Sequence, residues 1–109
     1  MQIKFYIKKG KSPVEEYILE CPKPVREKII RQIKYAQEYG LRSEVLDLKK
    51  LRGYPLWEIR ILGKNNIRVL CCQSDNTIHI LHIFAKKTMK TPLKDLNLGL
   101  RRHNEIFDN

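Results

Sequence analysis

Arg60, Arg68, Lys86 and Lys87 are the residues whose types and spacing suit phosphate chemistry. The two arginines interrupt the apolar runs LWEIRIL and NIRVLCC, and the two lysines directly follow HILHIFA. A guanidinium is a planar fork that can grip two phosphate oxygens and stays charged at any working pH. Ammonium groups nearby can neutralise the scissile and neighbouring phosphates. Such a set suits RNA cleavage in which the 2′-OH attacks the adjacent phosphorus, a route that needs no metal. The protein must then align the attack, stabilise the phosphorane oxygens and manage two protons. Removing one stabilising donor costs on the order of 10²–10³ in rate.

Proton transfer has fewer candidates. Glu58 lies two residues before Arg60, so both point to one strand face. It is a candidate base, although a carboxylate beside arginine is a poor proton acceptor. Arg60 has two readings at this stage, phosphate binding or an ion pair with Glu58. His82 alternates with Ile80 and Phe84, the pattern of a packed strand histidine, and is the second candidate. Lys49, Lys50, Arg52 and Lys90 would extend the phosphate track, with a solvated loop as the other reading of the first three. Tyr54, between Gly53 and Pro55, is placed to stack on a base. Trp57 falls on the opposite side of the pleat from Glu58 and is expected in the core.

The elements that must position these groups follow from periodicity. Gln2 to Lys8 alternates apolar Ile3, Phe5 and Ile7 with polar neighbours, as a half-buried strand does. Ser12-Pro13-Val14-Glu15 reads as a capping box with proline at the first helical position, predicting a helix that stops before Cys21-Pro22. Pro24 opens a second helix with Val25, Ile29, Ile33 and Ala36 inward and Gly40 at its end. Its outer face carries Arg26, Lys28, Arg31 and Lys34, expected to be solvated, with direct RNA contact as the second reading. Residues 41–55 read as a connector. Strands at Leu56–Leu62, Ile67–Gln73 and Thr77–Phe84, joined by short turns, predict an antiparallel meander. Thr91-Pro92 should cap a last helix with Leu93, Leu96 and Leu100 on one face. The order β-α-α-β-β-β-α predicts a single α+β domain over residues 1–109, with an antiparallel-rich twisted sheet and helices packed on one face.

Composition narrows the partner. Between Lys49 and Lys94 stand ten Lys/Arg and two acids, Glu58 and Asp75, which is +8 of the formal +10 net charge. That balance points to a polyanion, with nucleic acid first. No apolar run approaches the roughly 20 residues of a transmembrane helix. The start, MQIKFYIKKG, has no apolar signal-peptide region, so a cytoplasmic location is expected. Cys21, Cys71 and Cys72 have no metal-ligand spacing and read as thiols in a reducing compartment. His79, His82 and His103 form no zinc motif, so neither a metal nor a cofactor is expected.

The series Lys50-Leu51-Arg52-Gly53, Leu56-Trp57-Glu58-Ile59-Arg60, Arg68, Phe84-Ala85-Lys86-Lys87-Thr88 and Pro92 resembles the phage-derived Gp49-like group. Those are HigB-type toxins of the RelE/ParE superfamily, and the resemblance covers nearly the whole chain. It implies a toxin of a type II toxin–antitoxin system, made beside a HigA-like helix-turn-helix antitoxin and held with it in a heterotetramer. It further implies metal-independent endoribonuclease action on mRNA in the 30S A site of the ribosome, which inhibits translation. Arg68 then takes the family's strand-arginine position. The chain departs from the family in having no tyrosine after Tyr54 and, near its end, only His103. ParE-like members share the fold but inhibit DNA gyrase, and a non-catalytic RNA-binding relative is the third reading; fold alone does not choose among them.

Overall fold

The computed structural model describes residues 1–61 and 63–108. Three helices pack on a five-stranded mixed sheet of strand order β1-β5-β4-β3-β2. The strands are β1 (Gln2–Phe5), β2 (Leu48–Lys50), β3 (Trp57–Ile61), β4 (Ile67–Ser74) and β5 (Thr77–Ala85); the helices are α1 (Pro13–Glu20), α2 (Lys23–Tyr39) and α3 (Leu93–Phe107). The meander β3–β4–β5 forms as expected, with Arg60 opposite Arg68 and Arg68 opposite Phe84. β1 joins the far edge in parallel, Ile3 beside Ile78.

Local chemistry accounts for the helix ends. Ser12 Oγ accepts from the Glu15 N–H at 3.3 Å, and Glu15 and Glu16 place negative charge in the first turn of α1, where the positive end of the helix dipole attracts it. Gly40 closes α2 at φ 80°, a left-handed conformation that favours glycine, and its N–H donates to the Ala36 carbonyl.

The pleat sorts the core into two clusters. Val14 and Ile18 of α1 and Ile29, Ile33 and Ala36 of α2 bury against Ile59, Ile61, Ile67, Val69, Cys71, Ile78, Ile80 and Ile83. Trp57 packs against this cluster, as expected. Across the pleat, Leu70, Cys72, Leu81 and Phe84 close with Leu51, Leu56 and Leu96 of α3. Gly99 lets α3 approach closely, since a Cβ there would lie 2.9 Å from Leu70 Cδ1.

The structure corrects four sequence expectations. Part of the 41–55 connector is a strand, β2, paired antiparallel with β3. The first strand ends at Phe5 rather than Lys8; Lys8 and Lys11 instead pair across a tight turn. Thr91 does not cap α3. Pro92 holds the cap position without a side-chain hydrogen bond, and the Thr91 hydroxyl is used elsewhere. Leu93 is exposed, leaving Leu96 and Leu100 on the packed face. The expected end of β3 at Leu62 lies outside the described residues.

Candidate functional site: a cationic strand face beneath a latched loop

Glu58, Arg68 and Thr91 meet on the second face of the sheet. Glu58 is fully buried, and Arg68 is nearly so. Arg68 Nε stands 3.5 Å from Glu58 Oε1, close enough for attraction but without a formed hydrogen bond. Thr91 Oγ1 donates to the other oxygen, Oε2, at 2.7 Å. Arg68 Nη1 donates to the Ile67 carbonyl at 3.0 Å. The Thr91 contact ties the segment after β5 down onto the strand face.

That segment begins with Lys86, which is buried, whereas Lys87 and Lys90 are exposed. Asn66 anchors Lys86 twice: its carbonyl accepts from the Lys86 N–H at 2.9 Å, and its side-chain amide donates to the Lys86 carbonyl at 2.8 Å. Asn66 sits in the β3–β4 turn at φ 52°, a left-handed position that asparagine tolerates. A cleft lined by Lys64, Asn65, Asn66, Ala85, Lys86, Lys87, Thr88 and Met89 opens beside it.

His82 shares this face through plain alternation with Phe84, and the irregularity of β5 begins just beyond it. The register slips between Leu70 and Cys71, so Leu70 faces His82 while Cys71 faces Ile80, and Leu81 is the extra residue. His82 therefore does not share a side with Ile80, as plain alternation implied. It stacks on Phe84, rings 5.4 Å apart, and Phe84 is the partner of Arg68. His82 Nε2 lies 2.7 Å from Asp95 Oδ1 in the first turn of α3. Burial pushes the imidazole below its ordinary range, against the raising effect of Asp95. The ring is thus neutral near pH 7 and oriented by a carboxylate. Asp95 was missed in the sequence because an acid in a first helical turn reads as dipole compensation.

Arg60 is placed otherwise than expected. Its ion-pair partner is Asp47, at 2.8 Å from Nε and 2.5 Å from Nη2, and Arg68 is the one that faces Glu58. Asp47 gains this position because its carbonyl also accepts the Arg60 N–H, at 2.7 Å. Of the residues expected to extend the track, Lys50 donates to the Tyr54 carbonyl at 2.6 Å and lies 5.5 Å from the Trp57 ring centroid. Lys49, Arg52 and Tyr54 are exposed along the β2 side of the sheet. Lys50 faces Trp57, and Trp57 faces Cys71, so this group sits toward the opposite end of β3 from the Arg60–Arg68 pair.

Among the described residues, no group of three or more His, Cys, Asp or Glu side chains is placed to hold a metal ion. No helix is long and apolar enough to cross a membrane. Burial raises the Cys72 thiol to about 11 and the Cys71 thiol further, which removes both as thiolate nucleophiles near neutral pH.

The structure is thus a small α+β domain with arginine and lysine set into one strand face, under a loop tied down by Thr91. The chain belongs to the phage derived protein Gp49-like family (DUF891), whose model matches residues 16–104. That family is one of RelE/ParE-like toxins, which places the chain among proteins of toxin–antitoxin type. A search of curated proteins returned no match.

Proposed function

We propose that this protein is the toxin of a type II toxin–antitoxin pair and acts as an mRNA endoribonuclease on the ribosome, stopping translation. The observation that carries this reading is the shared strand face of Arg68, Lys86 and the His82–Asp95 pair. The attacking group is the RNA's own 2′-OH: its oxygen bonds to the phosphorus, the P–O5′ bond breaks to leave a 2′,3′-cyclic phosphate, and the departing 5′-oxygen takes its proton from water in the open cleft. His82, with Nε2–H donated to Asp95, presents Nδ1 as the acceptor of the 2′-OH proton. Arg68 is the first stabiliser of the phosphorane oxygens: one of its five N–H donors is taken by the Ile67 carbonyl, and the buried Glu58 fixes its position. Lys86 and Lys87 neutralise the scissile and neighbouring phosphates, and Lys90 extends the same loop outward. Ribosome-bound mRNA supplies alignment that the open cleft alone does not.

A helix-turn-helix antitoxin of HigA type, in a heterotetramer, is the partner this reading implies. Its charge complement is an acidic segment able to cover Lys86 and Lys87. The test is induction in cells with mapping of mRNA 5′ ends, for the wild type and for Arg68→Ala and His82→Ala. In-frame cuts on translated messages, lost in both variants, support the reading. An SOS response without such cuts would transfer the protein to gyrase inhibition. Growth arrest and cleavage that persist in Arg68→Ala would refute the assigned chemistry.

A further inference from the structure

Four depressions on this surface share lining residues and run into one another. The cleft at Lys86 and Lys87 is bounded by Lys64, Asn65 and Asn66 of the β3–β4 turn. The same three residues line a second cavity, whose other wall is Pro24, Val25 and Lys28 of α2. Lys28 and Ile61 then belong also to a third, with Arg31, Gln32, Asp47 and Arg60. Arg31 continues into a fourth with Ile30, Lys34 and Glu27. The path therefore leaves the strand face, crosses the β3–β4 turn and continues along the outer side of α2.

Its charge is one-sided. Lys87, Lys86, Lys64, Lys28, Arg31 and Lys34 succeed one another, and among the described residues none of them makes a salt bridge. Asp47 is occupied by Arg60, and Glu27, one helical turn before Arg31, is the single acid among the four residues that line the last depression. Concentrating unpaired like charges costs stability through mutual repulsion, so their alignment along a depression calls for a polyanionic ligand. The crossing point is built for close approach: a Cβ on Gly63 would lie 3.2 Å from Lys28 Nζ, so the ammonium rests directly over bare backbone. Exposed Ile30 and Tyr35 border the helical stretch and offer apolar surface to bases.

We infer that the outer face of α2, from Lys28 through Arg31 to Lys34, is a second binding segment for single-stranded RNA, continuous with the cleavage cleft across the Gly63–Asn66 turn. It holds the phosphates that flank the cleaved one on the same strand. Continuity with the cleft selects a flanking single strand over a separate duplex, because one chain can follow the whole path. This inference rests on the endoribonuclease reading for its anchor at Arg68, and it assigns to α2 a role that periodicity alone reads as solvation.

The test is fluorescence anisotropy with labelled 2′-O-methyl RNA, which cannot be cut by 2′-OH attack, in lengths of about 4 and about 16 nucleotides, the span of single-stranded sites on small folds. The intact protein is compared with Lys28→Ala/Arg31→Ala and with a charge-matched control, Lys9→Ala/Lys11→Ala. The long oligomer should bind the wild type more tightly than the short one, and the α2 variant should lose that advantage. Its log–log salt slope should fall by about 1.4, from two contacts at about 0.7 each, while the control keeps the wild-type slope. Equal losses in variant and control, or an unchanged slope in the α2 variant, would overturn the inference. So would polyglutamate peptide that binds with the same length and salt dependence while RNA does not. Cleavage of unmodified RNA is scored separately: if it survives Arg68→Ala while the α2 slope change holds, the assigned chemistry fails and the track stands.

Discussion

Replacing Glu58 and Arg68 singly and together separates what this pair does for the fold from what Arg68 does for chemistry. Glu58 has no solvent exposure, and the Arg68 side chain retains 9%. At 3.5 Å the contact is longer than a charge-assisted hydrogen bond, so the attraction recovers only part of the cost of removing two charges from water. Glu58→Leu leaves a buried guanidinium without its counter-charge, and Arg68→Met leaves a buried carboxylate held only by Thr91. Each should cost about 3–5 kcal/mol, the range for breaking a buried pair from one side. The double variant removes both charges together, so its loss should fall well below the roughly 6–10 kcal/mol sum of the singles, to about 3–7 kcal/mol for a coupling of roughly 3 kcal/mol. About 1 kcal/mol of what remains belongs to the stranded Thr91 hydroxyl. Urea unfolding followed by tryptophan fluorescence reads all four proteins through the single Trp57. Cleavage should be absent from both proteins lacking Arg68, including the restabilised double variant. Single variants that each cost under about 1 kcal/mol would show the pair to be solvated and would refute the argument.

Thr91→Val removes the donor to Glu58 Oε2 and should cost about 1.5–3 kcal/mol; limited trypsin digestion should then cut faster at Lys86, Lys87 or Lys90, and an unchanged rate would deny the latch. Stability should decline as pH falls from about 6.5 through the depressed folded value of His82, because the unfolded chain takes up that proton first. Holding His79 constant, since burial depresses it too, the His82→Asn variant should show a flatter decline between pH 7 and 5. Gly99→Ala gains up to about 1 kcal/mol of helix propensity but drives a methyl to 2.9 Å from Leu70 Cδ1 in a closed core. Overpacking at about 1–3 kcal/mol outweighs that gain, so a net loss near 1 kcal/mol is expected, and a raised Tm would contradict it.

Much of the fold is legible because its signals are local. Ser12, Pro13 and Gly40 mark helix ends through their own backbone chemistry, and three apolar strands separated by short turns leave a meander as the simple solution. β2 escaped because Leu48-Lys49-Lys50 is too short to display a period; it becomes a strand through pairing with Trp57–Ile59. The site was legible in its cations and not in their partners. Glu58 sits two residues from Arg60, and strand alternation alone pairs them. The fold sets Arg68 against Glu58 and draws Arg60 to Asp47, thirteen residues upstream. His82 shows the sharper limit. Alternation with Phe84 puts it on the face of Arg68, but a one-residue slip in β5 turns Ile80 away from it, and no pattern in HILHIFA announces that slip.

The parallel seam between β1 and β5 joins strands that lie far apart in the sequence. Ile3 acquires its strand partner only when Ile78 has been made, whereas the meander needs only near neighbours. Long-range pairing of this kind closes late, after the loop-closure entropy of some seventy intervening residues has been overcome. Thr91 and Asp95 are synthesised later still, so the latch on Glu58 and the carboxylate that orients His82 both await residues beyond β5. A growing chain thus carries its cations long before it carries their geometry.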